Sequence, residues 1–357
     1  MRSSWFAVHS NRCEAYRMQR YSLAPASGGP RPLLLVESTL PDPKAGEVVV
    51  RIEAASLNYR DLLMRSGQSA SGGSNPVVPL SDGAGVITAL GDDVTGWTIG
   101  DQVALTFFRD WEDGPFQMSY HQAARGGSCD GVLSESVMAP AHSLVRLPSG
   151  YTAAEGATLP CAAVTAWHAL MERGRPVGPG DTVLCLGTGG VSIFALQLAL
   201  AAGASVIVTS SSEEKLDRVR SMGAAHTINY RAQPDWGKEV AHLTDGRGVD
   251  HVIEVGGAGT IGQSMIAVGA GGTISLIGVL TGFAPPEVSL FPLVSKSVDL
   301  HGIYVGSRAM FGRLNAFLER HQIRPLIDAT FSFFEAPAAY EHLASGSHFG
   351  KVVISLP

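Results

Sequence analysis

The sequence predicts an α/β protein in which a doubly wound parallel sheet follows a mostly antiparallel β domain. Three observations predict it. Before residue 149 short β-like runs alternate with Gly, Pro and Asp turns. After residue 151 apolar strands alternate with Ala- and Leu-rich helical stretches, and a glycine-rich corner stands where the first of those strands meets a helix.

Composition narrows the class of function. A chain of 357 residues, 45% hydrophobic and 16% charged, is long and apolar enough for two domains with separate cores. A formal net charge of −6 offers no continuous basic surface to nucleic acid or anionic lipid, so the expected partner is a small molecule. Cys13, Cys129, Cys161 and Cys185 include no CxxC pair for a disulfide scaffold or structural zinc, which fits a reducing cytoplasm. Every apolar run falls short of the ~18 to 20 residues that span a bilayer. Residues 1–17 carry Arg2, Arg12 and Arg17 against Glu14 without a long amphipathic face; they read as a flexible extension, with Met18 opening the folded part.

Each predicted element has a local reason. Residues 33–37, 47–55, 85–90, 102–106 and 144–147 are short apolar runs bounded by turn formers, as in an irregular antiparallel domain. Strands at 182–186, 205–210, 226–229, 251–255 and 273–278 read instead as continuous apolar runs, which burial on both faces of a parallel sheet requires. Helical periods fill the intervals at 193–202, 213–222, 236–243 and 261–268, and a helix at 310–321 closes the unit. The text then returns to β-like runs at 329–333 and 351–356. The expected division is a discontinuous first domain, 18–149 with 322–357, around a second at 150–321. The Ser/Gly-rich stretch 68–75 reads as a mobile surface connection.

The corner after strand 182–186 reads Gly187-Thr188-Gly189-Gly190-Val191-Ser192. Gly187 permits a tight turn, Gly189 lets backbone approach a pyrophosphate, and the helix N-terminus supplies free N–H groups. Ser192 stands where a third glycine of GxGxxG is usual. An ordinary strand-to-helix turn can share these letters, but the flanking strand, helix and second strand specify a dinucleotide site.

An NAD site usually ends its second strand with Asp or Glu; this chain has Thr209-Ser210-Ser211-Ser212. Hydroxyls and backbone N–H groups can donate to a 2′-phosphate that a carboxylate would repel, and Lys215 is near enough to add a charge-assisted bond, so the expected cofactor is NADP(H). Ser211 and Glu214 also have capping-box spacing, a role compatible with the same helix end.

With these residues in place, the chain resembles the medium-chain dehydrogenase/reductase superfamily, specifically its zinc-free quinone-oxidoreductase-like branch. The carriers are Leu57-Asn58-Tyr59-Arg60-Asp61, the run from Pro79 to Val86, the run from Leu159 to Trp167, the phosphate corner, and Phe349-Gly350-Lys351-Val352-Val353. The resemblance implies a GroES-like β domain beside a Rossmann domain, with the active site in the cleft. It also implies that Thr165, Ile277, Gly278, Ile303 and Val305 line the nicotinamide side. Ser210, Ser211, Lys215 and Tyr230 would surround the adenosine 2′-phosphate, Gly256 would lie beneath the adenosine ribose, and Lys351 would lie near the cleft.

The same resemblance implies no metal. Zinc enzymes of the superfamily place cysteine at the position of Asn58, and Gly-His-Glu where this chain has Leu80-Ser81-Asp82, so only Cys161 survives of a ligand set that needs three. Cys161 is expected to be a buried packing residue, as is Cys185. Without a Lewis acid, the favoured acceptors are already reactive ones, quinones and α,β-unsaturated carbonyls, and the protein supplies orientation. Tyr59, with Asn58 beside it, is the expected hydrogen-bond donor to the developing oxyanion, although Asp61 could make this run a capped loop-to-helix junction instead. Phe107, Phe108, Trp111, Phe283 and Phe311 are candidates to wall a flat substrate. Two alternatives stand beside this reading: an alcohol or aldehyde dehydrogenase that has lost its metal, and a non-catalytic NADPH-binding protein. A homodimer formed through the edge strand at 298–304 is expected by resemblance.

Overall fold

A computed structural model describes residues 16–25, 29–67, 75–283 and 288–357. The stretch 68–74 and all but the last two residues of the 1–17 segment lie outside the described residues. The first strand, β1 (Tyr16–Leu23), starts two residues before Met18 and pairs antiparallel with β2 (Leu33–Leu40).

Alternation then builds a second sheet. In β3 (Glu47–Ser56), Val48, Val50 and Ile52 are buried while their neighbours are not, the period-two pattern of a strand with one core face. It pairs antiparallel with β4 (Asp82–Leu90), which continues to β5 (Gln102–Leu105), while β6 (Ser136–Pro140) also pairs with β3 and β7 (Leu144–Arg146) pairs with β5. Between β3 and β4 lies a helix, Tyr59–Ser66, ended by Gly67 at φ 75°, the left-handed cap that glycine takes without penalty.

Residues 153–172 form an irregular helical stretch. Pro160 supplies no N–H, and the turn around Leu159–Ala163 widens to π spacing.

The parallel sheet follows: β8 (Thr182–Leu186), β9 (Ser205–Ser210), β10 (His226–Asn229), β11 (Val249–Glu254), β12 (Val268–Leu276) and β13 (Asp299–Gly302). Their spatial order is β10-β9-β8-β11-β12-β13, so the direction of winding reverses between β8 and β11. In such sheets ligands bind beyond the carboxyl ends of the strands at that reversal. All five residues of β8 are buried, as its continuous apolar text requires. After the helix Arg308–His321, β14 (Ile327–Ser332) and β15 (Lys351–Ser355) re-enter the first large sheet, β15 lying between β14 and β3. The helix Ala336–Ser345 lies between the two expected β-like runs, in an interval where the sequence predicts no helix.

One apolar cluster joins the two large sheets, running from Ala54, Ala84 and Phe107 through the 153–172 stretch to Val183, Ile193 and Phe194. A second fills the far face of the antiparallel sheet, and a third lies beneath the helices Trp236–Leu243 and Ile261–Ala267. The carboxyl ends of β8, β9, β11 and β12 therefore stand beside the first sheet. No helix among the described residues is long and apolar enough to cross a membrane.

Candidate active site

The corner after β8 has the geometry that its glycines foretell. Gly187 takes φ +74° and donates its N–H to Thr209 O at 2.8 Å. Gly189 precedes the helix Gly190–Ala201, whose first N–H groups lack intrahelical acceptors. A Cβ on Gly189 would meet nothing within 4 Å except His348 Nε2, at 3.9 Å, whereas on Gly190 it would stand 2.7 Å from Lys351 Cδ. Gly189 thus leaves a cradle over the backbone, and Gly190 admits a lysine stem. Ser192 replaces the third glycine by turning its buried hydroxyl back onto Leu186 O at 2.6 Å. Val191 is half-buried on the first helical turn, and the buried Thr188 accepts the Gly350 N–H at 3.0 Å. This cradle fits a pyrophosphate.

At the end of β9 the cap differs from the expected one: Ser212, not Ser211, accepts the Lys215 N–H at 3.3 Å. The reason is register, since the helix starts at Glu213 and its cap is the residue before. Ser210 is buried, and its carbonyl accepts from Tyr230, whose ring is 41% exposed. The Lys215 ammonium donates to the carbonyls of Gly346 and His348, each at 2.8 Å, and burial lowers its pKa. It ties this helix to the segment that leads into β15.

The carboxyl ends of β11 and β12 are shaped by Glu254, which sequence reasoning overlooked. Its fully buried carboxylate accepts from Gly256 N at 2.7 Å, Gly257 N at 2.9 Å, Thr260 Oγ1 at 2.6 Å and Ser264 Oγ. That concentration of donors fixes the loop carrying Gly256. Ile277 and Gly278 bond back to Glu254 O, and a Cβ on Gly278 would lie 2.0 Å from Val255 O, so backbone approaches closely there. Ile303 and Val305 are buried beyond β13, and Val305 holds φ +55°, a costly conformation for a β-branched residue. His168 Nδ1 lies 2.7 Å from Val305 O, one turn of helix beyond the buried Thr165. Burial lowers the His168 pKa, so the ring is neutral and Nδ1–H donates.

The first sheet contributes a buried polar cluster. Lys351 Nζ donates to Leu57 O at 2.7 Å and Asn58 Oδ1 at 2.6 Å, and lies 3.8 Å from Asp82 Oδ2. Asp82 is fully buried and accepts from Ser81 Oγ at 2.6 Å and Cys161 N at 3.1 Å; burial raises its pKa, with Lys351 opposing. An ammonium only donates, so the Asn58 atom facing it is the carbonyl oxygen, and Nδ2 is left buried with no hydrogen-bond partner among the described residues. Asp61 caps the helix start, accepting from Asn58 N at 2.7 Å, and burial pushes its carboxyl up to about 6. Tyr59, at the first position of that helix, is 41% exposed. Cys161 is half-buried at the edge of this cluster and not fully buried as expected, because it sits on the widened turn that faces Asp82; Cys185 is fully buried.

The donor set of a catalytic zinc does not fit here. Asn58, Ser81 and Cys161 offer one sulfur, and a lysine ammonium already compensates Asp82. Among the described residues no group of three His, Cys, Asp or Glu side chains is placed to hold a metal ion.

Aromatic side chains gather near Tyr304, which is 40% exposed between Ile303 and Val305. Its ring lies 5.2 Å from both Phe108 and His121 and 6.0 Å from Phe116. Phe107, Phe108 and Trp111 are buried behind this surface. Phe311 is part of the core, on the inward face of its helix, and Phe283 is largely exposed, so neither joins that cluster.

Comparison with known proteins adds a frame. The alcohol dehydrogenase GroES-like domain matches residues 44–149, and the zinc-binding dehydrogenase family matches residues 190–320. A zinc-type alcohol dehydrogenase-like protein of Schizosaccharomyces pombe is 46% identical over 316 residues, 87% of this chain and 91% of its own. A crystal structure from Sinorhizobium meliloti, provisionally designated an alcohol dehydrogenase, aligns with a TM-score of 0.88 at 44% identity and covers 96% of this chain and 99% of that one. Another, designated an NAD-dependent alcohol dehydrogenase, aligns with a TM-score of 0.85 at 30% identity over 95% and 100% of the two chains.

Proposed function

We propose, from the premise that this chain belongs to the medium-chain dehydrogenase/reductase superfamily of oxidoreductases, that it uses NADPH to reduce a quinone or α,β-unsaturated carbonyl without a catalytic metal. The observation that carries the metal-free reading is the Lys351 ammonium, held at 2.6 Å from Asn58 and 3.8 Å from Asp82. A cation fixed among these groups would repel a divalent ion, and it takes over charge compensation of the buried carboxylate.

Bound NADPH would supply the hydride. The chain's own residues then orient the acceptor and its developing negative oxygen. Because Lys351 holds Asn58 Oδ1, Nδ2 is the Asn58 group left to donate; it lies close enough to Asp82 to oppose the rise in that carboxyl's pKa, and in this reading it turns to the developing oxygen when an acceptor binds. Tyr59, exposed beside it, is the second donor in this reading. The ring of Tyr304, backed by Phe108, Phe116 and His121, supports a flat conjugated acceptor.

The preference for NADPH is supported by the serine-lined end of β9. Ser212 takes the capping role, so the Ser211 hydroxyl is free of it, and Tyr230 is exposed alongside. A carboxylate that would repel a 2′-phosphate is missing from residues 209–212. The names of relatives favour one second reading, an alcohol dehydrogenase working with NAD. We further propose a cytoplasmic homodimer, supported by β13 at the open edge of the parallel sheet and by the exposed side chains of Leu290, Phe291, Val294 and Leu300 around it. Leu300→Lys is expected to halve the mass measured by light scattering; an unchanged mass rejects this interface.

Initial rates of absorbance loss at 340 nm with quinones, enones and simple ketones, alongside metal analysis of the purified protein, test the activity. The expected result is turnover of conjugated acceptors, insensitivity to chelators and less than stoichiometric zinc. Turnover of ketones alone, or loss of activity with a removed metal, overturns it.

A further inference from the structure

The segment between the helix Ala336–Ser345 and β15 is held from three directions. Lys215 Nζ takes the carbonyls of Gly346 and His348, Gly350 N–H reaches Thr188 O at 3.0 Å, and the buried Phe349 ring lies under the Arg218 guanidinium at 3.9 Å. His348 therefore has little freedom. Its Nε2 is the one atom within 4 Å of where a Cβ on Gly189 would stand, at 3.9 Å. That direction is the one a pyrophosphate occupies when it approaches the second glycine of such a corner. The other ring nitrogen, Nδ1, is buried with no hydrogen-bond partner among the described residues, an arrangement that calls for a reason.

We propose that His348 is a pyrophosphate ligand, donating Nε2–H to a phosphate oxygen of the dinucleotide held over Gly189. The proposal rests on the reading that a nicotinamide dinucleotide occupies the corner after β8. The charged and titratable groups facing the ring are Lys215 and Arg218 on one helix, His342 on another, Asp328 on β14 and Lys351 on β15. Burial, with the positive charges of Lys215 and Lys351 against Asp328, pushes the imidazole down to about 4. The ring is therefore neutral at pH 7, and since the buried Nδ1 faces no acceptor, the proton belongs on Nε2.

The test is nucleotide binding by calorimetry, read beside ¹⁵N NMR of the histidine ring. His348→Phe is expected to weaken NADPH and NADH about tenfold, and His348→Gln, which keeps an N–H donor, to recover part of that loss. Adenosine 2′-phosphate, which has no pyrophosphate, is expected to bind all three proteins equally. In the parent protein NADPH should move the His348 Nε2 resonance while leaving it protonated. Equal NADPH affinity in His348→Phe, an unmoved resonance, or an equal loss of adenosine 2′-phosphate binding overturns the role of His348 and leaves the cofactor reading intact. Failure of the parent protein to bind any nucleotide overturns both.

Discussion

Replacing Lys351 with methionine keeps the apolar stem against Gly190 and deletes the ammonium. Lys351 and Asp82 are 3% and 0% exposed with 3.8 Å between charges, so the variant strands a carboxylate that solvent cannot reach. Removing one partner of a buried pair costs about 3–5 kcal/mol, and Leu57 O and Asn58 Oδ1 lose their donor as well. At roughly 2 °C per kcal/mol, the midpoint of thermal unfolding should fall on the order of 8 °C at pH 8. The sign of the pH dependence follows from Asp82, whose pKa burial already raises and which climbs further without its lysine. A folded state that binds more protons than the unfolded one loses stability as pH rises above the ordinary carboxylate value, about 3.9. The deficit of Lys351→Met should thus be smaller at pH 5.5 than at pH 8. Adding Asp82→Asn removes the stranded charge and should restore about half of the loss. Differential scanning calorimetry of the three proteins at both pH values is the assay. A midpoint within about 1 °C of the parent's, or a double variant no better than the single one, would refute the electrostatic reading of this cluster.

Three further perturbations probe other links. Gly189→Val places a side chain in the pyrophosphate cradle, where little else is touched; thermal stability should hold while NADPH affinity by fluorescence titration drops at least about a hundredfold. Ser211→Asp sets a carboxylate beside the expected 2′-phosphate, so NADPH affinity should fall about a hundredfold while NADH affinity holds; a parallel loss of both would count against the assignment. His251, buried on β11 with Nε2 3.0 Å from Ser275 Oγ, is pushed by burial down to about 4. The unfolded chain binds the extra proton first, so this group's contribution, on the order of 3 kcal/mol, is present above pH ~6.5 and lost as pH falls toward 4. His251→Gln should lose less of its melting temperature between pH 7 and 4.5 than the parent does; identical slopes would exclude His251 as a source of acid lability.

The parallel sheet was legible because burial on both faces leaves continuous apolar runs, and strands 182–186 and 205–210 emerge at the same residues, as does the partly exposed edge strand 226–229. Residues 336–345 defeated a periodicity reading: Pro337 near the start hides a helix whose buried face is only Ala336, Ala339, Tyr340 and Leu343. The phosphate corner could be read because its glycines answer local backbone needs. His168 and His348 could not, since each acts through a partner far along the chain, whereas Glu254 gathers its donors from the loop and helix that follow it, no more than ten residues on. For Glu254 a signal did exist, a carboxylate closing an otherwise apolar strand just before Gly256-Gly257. Lys215 shows what spacing leaves out: the sequence expects it beside a phosphate, and the fold also gives two of its three hydrogens to carbonyls more than 130 residues away.

The placement of β15 also sets an order of assembly. Strand β3 leaves the ribosome early, yet Ser56 Oγ bonds to Val352 O, 296 residues later. At ~5–20 residues per second, translation leaves that edge of the first sheet without its neighbour for roughly 15 to 60 s. Only the Ala54–Ser56 end of β3 waits so long, because the Val48–Val50 stretch pairs with β4 and with β6, made within about a hundred residues of it. The phosphate corner waits on the same event, because Gly350 closes against Thr188 and Gly189. Nucleotide can therefore reward folding only after residue 350 has been made, so cofactor supplied while the parallel sheet is still being synthesised should add little to the yield of folded protein.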